Sequence, residues 1–377
     1  MRSFLFGFEV ELFIIFIYHN TGVNYGDKLE DKIFELKSEA NEFKLDRSIK
    51  FEDYYQCAFS LKINMYSNEK SKKVLNFSKN NKCCFCGASN KRVNFSQDTH
   101  VIPSAFGNSR LFTEEECNSC NQKFGQLYEN ELARLFQIDR TMQGIYNDKK
   151  IPKYKANINN GSEIRHLDTN NILFINKEDQ LFKSVFQNLL DSEKDNIDIA
   201  LPPIKINPLN VAKSLVHSAW LILDERQRKR NSFLLDWFLD KIQIYPLKLF
   251  IGTIEDKVSN ILRFYIWENK KRDGVFSDLI LVMSFKNRII LFGLPDSKSK
   301  KYTRCLLPPI ALDAVNDQMT ISMKEYPILS KDNSIEVSQF INVSKTNTTK
   351  ITELNKEGIR DVNSFIEIIK KHKKMDD

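Results

Sequence analysis

Two pairs of cysteines constrain this chain more than any other feature of its sequence. Cys83 and Cys86 form one C-x-x-C motif, Cys117 and Cys120 form a second, and thirty residues lie between the pairs. A C-x-x-C turn, called a knuckle below, places two thiolates on one side of a tight bend. Two knuckles supply four thiolates, and such a tetrahedral set is typical of a structural Zn²⁺ site with no open position. A redox pair or plain buried cysteines are the alternatives.

The cysteine count supports the zinc prediction. Five of the seven cysteines fall within residues 83–120. This usage fits a metal site in a reducing cytoplasm better than a disulfide framework. Cys84 is the spare cysteine of the group, and it could replace a neighbour as ligand. We favour Cys83 because the C-x-x-C spacing ends at Cys86.

The residues between and after the knuckles predict two short β segments and an α-helix. Val93 and Phe95 alternate with polar residues, which predicts a strand that ends near Asp98. After the second knuckle, apolar residues recur at helical spacing. They are Phe124, Leu127, Tyr128, Leu132, Leu135 and Phe136. The predicted order is knuckle, strand, histidine, loop, knuckle and helix, so we expect His100 and Asn121 to face each other.

These motifs together resemble a known family. They comprise the C-x-x-C at residues 83–86, His-Val-Ile-Pro at residues 100–103, and C-N-x-x-F-G at residues 120–125 with a glutamate further on. The combination is similar to the zinc-containing subfamily of HNH endonucleases, over about 55 residues. The resemblance implies that His100 is the general base that takes a proton from water, and that Asn121 binds a catalytic Mg²⁺ or Mn²⁺ ion. It also implies a nucleic-acid substrate, DNA in the first place and RNA as the alternative.

The chain departs from the family pattern at one position. The family carries Asp or Glu before the first histidine as a metal ligand, and here that position is Thr99. Asn121 could hold the ion with water and phosphate only, Asp98 could reach it through a bulge, or Glu129 could contribute from the same helix face. An inactive site is the fourth alternative. His100 could instead be a zinc ligand or a core histidine, and Asn121 could be a helix N-cap.

The charge distribution is compatible with nucleic-acid binding. The formal net charge is +7, and residues 60–100 contain eight Lys or Arg residues against two acidic ones. Such a run is often only a solvated face, but beside the candidate site we favour phosphate contact. The predicted nucleic-acid contacts are Lys82, Lys91, Arg92 and Lys123. No Gly-rich phosphate loop occurs, so we expect no small-molecule cofactor, and the sequence identifies no protein partner.

The N-terminal part is expected to be distinct from the nuclease module. Residues 1–60 are predicted as a segment with an amphipathic helix at residues 27–45, and residues 61–140 as the nuclease module. The apolar run at residues 4–18 is too short to predict a transmembrane helix and makes a poor signal peptide, so a membrane anchor is only the minor alternative. We expect a buried strand or helix there, or residues translated upstream of the true start. The prediction is a cytoplasmic protein without a membrane partner.

Residues 141–377 are predicted as a larger, mixed, β-rich accessory domain of unknown specificity. A helix is expected over residues 210–224, on which His217 would be a core or surface histidine. Strands are expected at residues 172–175, 261–267, 279–285 and 289–294, with more near Ile321 and Ile341. A second basic cluster consists of Arg226, Arg228, Lys229 and Arg230. A Lys-rich helix is expected to close the chain at residues 359–374.

The sequence thus predicts an α+β protein in which a zinc-stapled ββα-metal nuclease module precedes a larger mixed domain. The predicted function is metal-dependent hydrolysis of DNA phosphodiester bonds, with His100 as the general base. The alternative is a non-catalytic zinc-ribbon protein that binds nucleic acid and in which His100 is incidental. Thr99 in place of the acidic residue is the best support for that alternative.

Overall fold

Helices and sheets both contribute to the fold, which confirms the predicted α+β class. The chain is represented by a computed structural model. It describes residues 11–16, 32–33, 36–38, 55–64, 73–77, 82–145, 151–155, 163–168, 171–176, 196–254, 261–271, 277–285, 288–296, 311–312, 321–344 and 348–351. The chain divides into two compact units. The first comprises Met1–Asn24, Phe136–Ile204 and Val337–Asp377, and the second comprises Tyr25–Leu135 and Lys205–Glu336.

The helices and strands have the following bounds. The α-helices are α1 (Asn118–Phe124), α2 (Asn130–Leu135), α3 (Gln137–Met142), α4 (Pro208–Ile222), α5 (Glu225–Arg230) and α6 (Ser232–Phe238), with a 3₁₀ turn at Ser104–Phe106 and a π-helical turn at Gly125–Glu129. The strands are β1 (Glu11–Phe16), β2 (Lys32–Ile33), β3 (Leu36–Ser38), β4 (Tyr55–Asn64), β5 (Lys73–Val74), β6 (Thr99–His100), β7 (Leu111–Thr113), β8 (Tyr154–Lys155), β9 (Glu163–Asp168), β10 (Asn171–Asn176), β11 (Asn196–Ile206), β12 (Leu247–Ile254), β13 (Ile261–Asn269), β14 (Leu279–Phe285), β15 (Arg288–Gly293), β16 (Ala311–Leu312), β17 (Ile321–Ile328), β18 (Ile335–Ser344) and β19 (Thr348–Ile351).

The first unit contains an antiparallel sheet of five strands in the order β19–β1–β10–β9–β8. Helix α3 packs against β8 and β9. The Thr141 hydroxyl on this helix donates to the carbonyl oxygen of Pro152, just before β8, at 3.0 Å. The chain leaves α3 at Gly144, where a φ of +64° and the close His166 ring leave no room for a side chain.

The second unit contains a seven-stranded sheet in the order β3–β17–β12–β15–β14–β13–β4. Its ladders are antiparallel except for the parallel edge pair of β17 and β3. Every residue of β14 is buried, as expected for a central strand with both faces covered. β14 and β15 form a tight hairpin in which Phe285 pairs with Arg288. The strands predicted within residues 141–377 are confirmed in both units. They correspond to β10, β13, β14, β15, β17 and β18.

Helix α4 confirms the helix predicted over residues 210–224 and is buried on nearly every side. The side-chain oxygen of its N-cap, Asn207, accepts hydrogen bonds from the amides of Leu209 (2.9 Å) and Asn210 (3.2 Å). Pro208 occupies the first helical position, where its missing N–H costs nothing. All residues of the helix except Asn210 are buried. A helix that is enclosed in this way belongs to the core of its unit.

Arg228 on α5 is an internal anchor rather than part of a basic surface. The residue is 7% exposed. Its guanidinium donates to the Glu115 carboxylate at 2.6 Å and to the carbonyl oxygens of Trp220 (2.8 Å) and Leu221 (3.2 Å). The ion pair joins positions 113 residues apart. The basic cluster predicted at residues 226–230 therefore does not include Arg228 on the protein surface, because this residue is buried.

The amphipathic helix predicted over residues 27–45 is wrong where the chain is described. Residues 32–33 and 36–38 form strands β2 and β3 instead. β2 pairs with β16, and β3 adds a parallel edge strand to β17. Sheet pairing with distant strands thus overrides a local pattern of mixed charge and apolar residues.

The strand predicted to end near Asp98 is also wrong, because residues 93–98 form a loop before β6. The amide of Ser96 donates to the side-chain oxygen of Asn94 at 2.9 Å, and the Asn94 carbonyl oxygen accepts from the amide of Asn118 at 2.8 Å. These local hydrogen bonds compete with a strand ladder. The helix predicted at residues 359–374 lies outside the described residues. Among the helices that the structure describes, none is both long and apolar enough to cross a membrane.

We predict that Arg228→Ala lowers the free energy of unfolding by about 3 kcal/mol or more, because it removes the cation that partners a buried carboxylate. Lys229→Ala is the matched control, since its ion pair with Glu225 lies on the surface of the same helix and the change should stay within about 0.5 kcal/mol. Denaturant unfolding of the full chain measures both variants. Equal stabilities would show that the Arg228–Glu115 pair does not hold the unit together.

Candidate functional site

The two knuckles come together as one cluster of four sulfur atoms. The Sγ atoms of Cys83, Cys86, Cys117 and Cys120 all lie within 4.8 Å of one another. The distance between the Cys86 and Cys117 sulfurs is 3.8 Å. A zinc–sulfur bond of about 2.3 Å implies about 3.8 Å between sulfurs at the corners of a tetrahedron. The cluster therefore fits a structural zinc ion, and among the described residues no other group of three His, Cys, Asp or Glu side chains lies this close.

The first knuckle is a tight backbone turn. The Cys83 amide donates to the carbonyl oxygen of Ala88 at 2.9 Å, and the Gly87 amide donates to the carbonyl oxygen of Cys83 at 2.8 Å. Gly87 has a φ of +72°, a left-handed conformation that glycine adopts without strain. Lys82 and Ser89 close the turn with an antiparallel bridge. This local geometry explains why the C-x-x-C spacing alone was sufficient to predict the knuckle.

The second knuckle forms the start of helix α1. Cys117 is the N-cap of the helix, and its carbonyl oxygen accepts the first helical hydrogen bond from the Asn121 amide at 3.0 Å. The Cys117 amide donates to the Cys83 sulfur at 3.5 Å. Asn121 thus lies inside the helix, and the alternative that it is an N-cap is wrong. The sulfur cluster therefore joins the first knuckle directly to the beginning of the helix that carries Asn121.

The thiols of the cluster are not equivalent. A hydrogen bond with Cys120 is the main cause that lowers the pKa of Cys83 to about 4. The same interaction, reinforced by burial, raises the pKa of Cys120, and burial raises the pKa of Cys86. Without a cation, then, one thiolate is favoured at the expense of its neighbours. Cys84 lies outside the cluster, and burial raises the pKa of its thiol.

His100 lies on β6, which pairs with β7 ahead of the second knuckle. His100 is opposite Phe112 in the ladder, and the two rings are 4.6 Å apart between centroids. The histidine is half-buried, whereas Asp98 is exposed and Thr99 is fully buried. The Thr99 hydroxyl makes no hydrogen bond. Thr99, the residue that immediately precedes His100, therefore points into the interior.

Asn108 organises the loop between β6 and β7, and sequence reasoning missed this role. Its side-chain amide nitrogen donates to the carbonyl oxygens of Ile102 (2.7 Å) and Leu111 (3.0 Å). Its side-chain oxygen accepts from the amides of Arg110 (3.2 Å) and Leu111 (2.9 Å). Asn108 is 1% exposed, so this buried amide is fully satisfied. The only available signal was an Asn that follows a Gly in a short polar stretch.

Residues along the helical segment of α1 and the following π turn separate into three rows. Positions 120, 124 and 128 are buried, positions 122, 123, 126 and 127 are exposed, and positions 121, 125 and 129 are half-buried. In an α-helix, residues four apart drift by about 40° around the axis. The wider π turn removes part of this drift. Asn121, Gly125 and Glu129 therefore share one row, while Leu127 is 47% exposed and leaves the apolar face predicted for it.

Glu129 and Glu116 both approach His217, a buried residue of helix α4. The Nε2 atom of His217 lies 3.0 Å from both carboxylate oxygens of Glu116, and its Nδ1 atom lies 3.6 Å from Oε1 of Glu129. Burial lowers the pKa of His217, but the two carboxylates outweigh it and the net direction is upward. Burial raises the pKa of Glu129, and His217 opposes that shift. His217 is a core histidine, as expected, but only its Nε2 atom is hydrogen-bonded, to Glu116, whereas Nδ1 makes no hydrogen bond with any described residue.

The four residues predicted to contact nucleic acid are all exposed: Lys82, Lys91, Arg92 and Lys123. Lys91 and Arg92 lie in the loop at residues 90–96, which lines an open surface cavity of about 570 Å³. This loop is tied to the start of α1, because the amide of Asn118 donates to the carbonyl oxygen of Asn94 at 2.8 Å. Cations on this loop are thus held near the helix that follows the second knuckle.

We predict that Cys117→Ser lowers bound zinc from about one equivalent per chain to near zero, and that the loss destabilises the second unit. Cys84→Ser is the matched control, because Cys84 is a neighbouring cysteine outside the cluster, so its zinc content should not change. Elemental analysis of the purified chain and thermal unfolding measure both effects. Zinc retention by Cys117→Ser would contradict the assignment of the cluster.

Comparison with known proteins finds one family model that is similar to this region. A family model described as HNH endonuclease matches residues 83–137. No curated protein and no solved structure matches the chain significantly. The matched segment contains both knuckles, His100 and helix α1, and it covers 55 of the 377 residues. The resemblance to HNH endonucleases is thereby confirmed for residues 83–137, called the HNH segment below.

Proposed function

We propose that this protein is a metal-dependent endonuclease that hydrolyses phosphodiester bonds in DNA. The observation that carries the proposal is the order of elements in the HNH segment. Strands β6 and β7 and helix α1 follow one another, and the four-cysteine cluster ties the beginning of the segment to the beginning of the helix. We propose that the nuclease module lies at residues 61–140 and that the remaining sequence serves it as accessory structure.

His100 is proposed as the general base. An imidazole has an unperturbed pKa near neutrality, so its neutral form can take a proton from water at physiological pH. His100 is half-buried and its ring packs beside Phe112. Packing of this kind limits the rotation of the ring while part of it stays accessible to solvent. Both conditions suit a base that must be oriented and must reach a water molecule.

Asn121 and Glu129 are proposed to hold a divalent cation, Mg²⁺ or Mn²⁺. Both side chains offer oxygen atoms, which hard cations prefer, and both lie in the half-buried row of the helix. The ion would supply charge that stabilises the leaving oxygen. Asp98 is exposed and stays a candidate ligand. The four cysteines would hold Zn²⁺, which would have a structural role only.

The basic loop at residues 90–96 is proposed to contact the substrate backbone. Lys91, Arg92 and the nearby Lys82 and Lys123 are exposed cations. Such residues neutralise phosphates without reading sequence. DNA is the substrate that we propose, and RNA of the same sequence is the comparison that tests it.

A non-catalytic, zinc-containing nucleic-acid-binding protein is the second candidate. One observation favours it: Thr99 stands where the family has an acidic ligand, and the residue is fully buried. In that case the cysteine cluster and the basic loop would be used and His100 would have no role in chemistry. A plasmid-nicking assay with Mg²⁺ or Mn²⁺, and with a chelator as control, separates the two candidates. Nucleic-acid binding without any cleavage would favour the second.

We predict that His100→Ala abolishes plasmid cleavage while zinc content stays at the wild-type level, because His100 is not part of the sulfur cluster. His100→Phe is the companion variant, since a phenyl ring can keep the packing against Phe112 but offers no nitrogen. Both variants should lose at least about a hundredfold in rate, as expected for removal of a general base. Cleavage at the wild-type rate by either variant would remove His100 from the mechanism.

We also predict that Gly125→Ala lowers cleavage at least about tenfold without lowering stability. Gly125 has ordinary right-handed helical angles, and an added Cβ would meet nothing within 4 Å. Alanine there should therefore stabilise the helix by about 0.5–1 kcal/mol. If DNA approaches the row between Asn121 and Glu129, the methyl group would obstruct it. Gln126→Ala, on the exposed row, is the control and should cleave normally; normal cleavage by Gly125→Ala would mean that the substrate lies elsewhere.

A further inference from the structure

His217 is a buried residue for which the proposed chemistry has no role, and it lies outside the matched HNH segment. Its two ring nitrogens face different carboxylates of that segment. Nε2 lies 3.0 Å from both oxygens of Glu116, and Nδ1 lies 3.6 Å from Oε1 of Glu129. The first contact joins positions 101 residues apart. One imidazole thus connects the start and the end of the segment that carries Asn121.

The surroundings of the His217 imidazole are mostly apolar, so its burial with charged partners is not explained by stability alone. The His217 ring lies 5.1 Å from the Phe85 ring, 5.5 Å from the Phe124 ring and 6.0 Å from the Phe238 ring, measured between centroids. Burying charged groups among apolar rings carries a large desolvation penalty. Well-packed hydrophobic residues of similar size are often as stabilising as a buried ion pair. The positions of Glu116 and Glu129 beside the two ring nitrogens therefore indicate that the imidazole orients these carboxylates.

The two carboxylates differ in what they can do. Glu116 is 1% exposed and immediately precedes Cys117, the cysteine that caps helix α1. Its contact with His217 fixes the backbone at the second knuckle. The Glu129 side chain is 24% exposed and belongs to the same helical row as Asn121. Oε1 of Glu129 lies 3.6 Å from His217, and the side chain is partly open to solvent.

We propose that His217 is a positioning residue that orients the Glu129 carboxylate for a divalent cation bound beside Asn121, while its other nitrogen anchors Glu116 and the second knuckle. The inference rests on the proposed function, because it assumes the cation site of that proposal. Carboxylates that bind metal ions are commonly held by a hydrogen-bonding partner behind them, and loss of such a partner weakens metal binding by about 10–100-fold. His217 would supply that partner from helix α4, because its Nδ1 atom makes no hydrogen bond within the described part of the chain and lies at an ion-pair distance of 3.6 Å from Oε1 of Glu129.

Two substitutions separate the two contacts of the imidazole. The amide nitrogen of glutamine can occupy the region of Nε2, so His217→Gln should keep the contact with Glu116 and lose the one with Glu129. The amide nitrogen of asparagine can occupy the region of Nδ1, so His217→Asn should do the reverse. Glu129→Gln removes the charge of the carboxylate at a partly exposed position, and it serves as a second variant that does not disturb the core.

The experiment measures Mn²⁺ binding to the zinc-loaded full chain by titration calorimetry, together with zinc content and thermal unfolding. We expect His217→Gln to keep its zinc and to weaken Mn²⁺ binding about tenfold or more, as Glu129→Gln does. We expect the double variant to add little further loss, because both changes remove the same interaction. His217→Asn should bind Mn²⁺ more nearly like wild type but unfold at a lower temperature.

Two results would overturn the inference. One is wild-type Mn²⁺ affinity in His217→Gln, and the other is a full additional loss in the double variant. If either result is found while the wild-type chain binds Mn²⁺ and nicks plasmid DNA, only the proposed role of His217 is wrong and the proposed nuclease function stands. If the wild-type chain neither binds Mn²⁺ nor cleaves, the cation site of the proposed function fails together with this inference.

Discussion

The crowding of four cysteine sulfurs is the constraint on which the site depends. Sulfur atoms within 4.8 Å of one another cannot all be thiolates unless a cation neutralises them, which couples folding of this region to metal binding. The cluster joins a tight turn at residues 82–89 to the first turn of α1. Strands β6 and β7 lie between these two anchors, and they have only two and three residues. Strands this short have little stability of their own, so the position of His100 depends on the cluster.

A second set of contacts joins the HNH segment to the helices at residues 208–238. The Trp220 indole donates to the carbonyl oxygen of Cys84 at 3.1 Å, and Arg228 pairs with Glu115. The Phe238 ring lies 5.3 Å from Phe85 and 4.8 Å from Phe124. A segment of about 55 residues buries only about 60% of the surface that its unfolded chain exposes and is marginally stable alone, so such support or a metal adds stability that it needs. We infer that the matched segment is only part of a folding unit that closes through residues far along the chain.

The features predicted from sequence were those encoded over short distances. A C-x-x-C knuckle is a local turn, and the apolar run of β14 is a central strand in any sheet, so both were predicted correctly. The loop at residues 93–98 depends on hydrogen bonds from Asn118, which the alternation of Val93 and Phe95 does not reveal. The exposure of Leu127 follows from a π turn that no propensity indicates. His217 looks like any core histidine until the fold brings Glu116 and Glu129 to its two nitrogens.

The position of Thr99 can be understood together with these distant contacts. A buried threonine on β6 supplies no charge, and the adjacent Asp98 faces solvent. The proposed divalent-cation site beside Asn121 then needs an anionic oxygen from an element other than β6. Glu129 is the acidic residue in the same helical row as Asn121. A carboxylate at the end of a π turn is a weakly fixed ligand unless a partner orients it, and His217 lies 3.6 Å away. If the proposed cation site is correct, its anionic ligand comes from the helix and not from the strand, and the histidine on α4 is the residue that would position it.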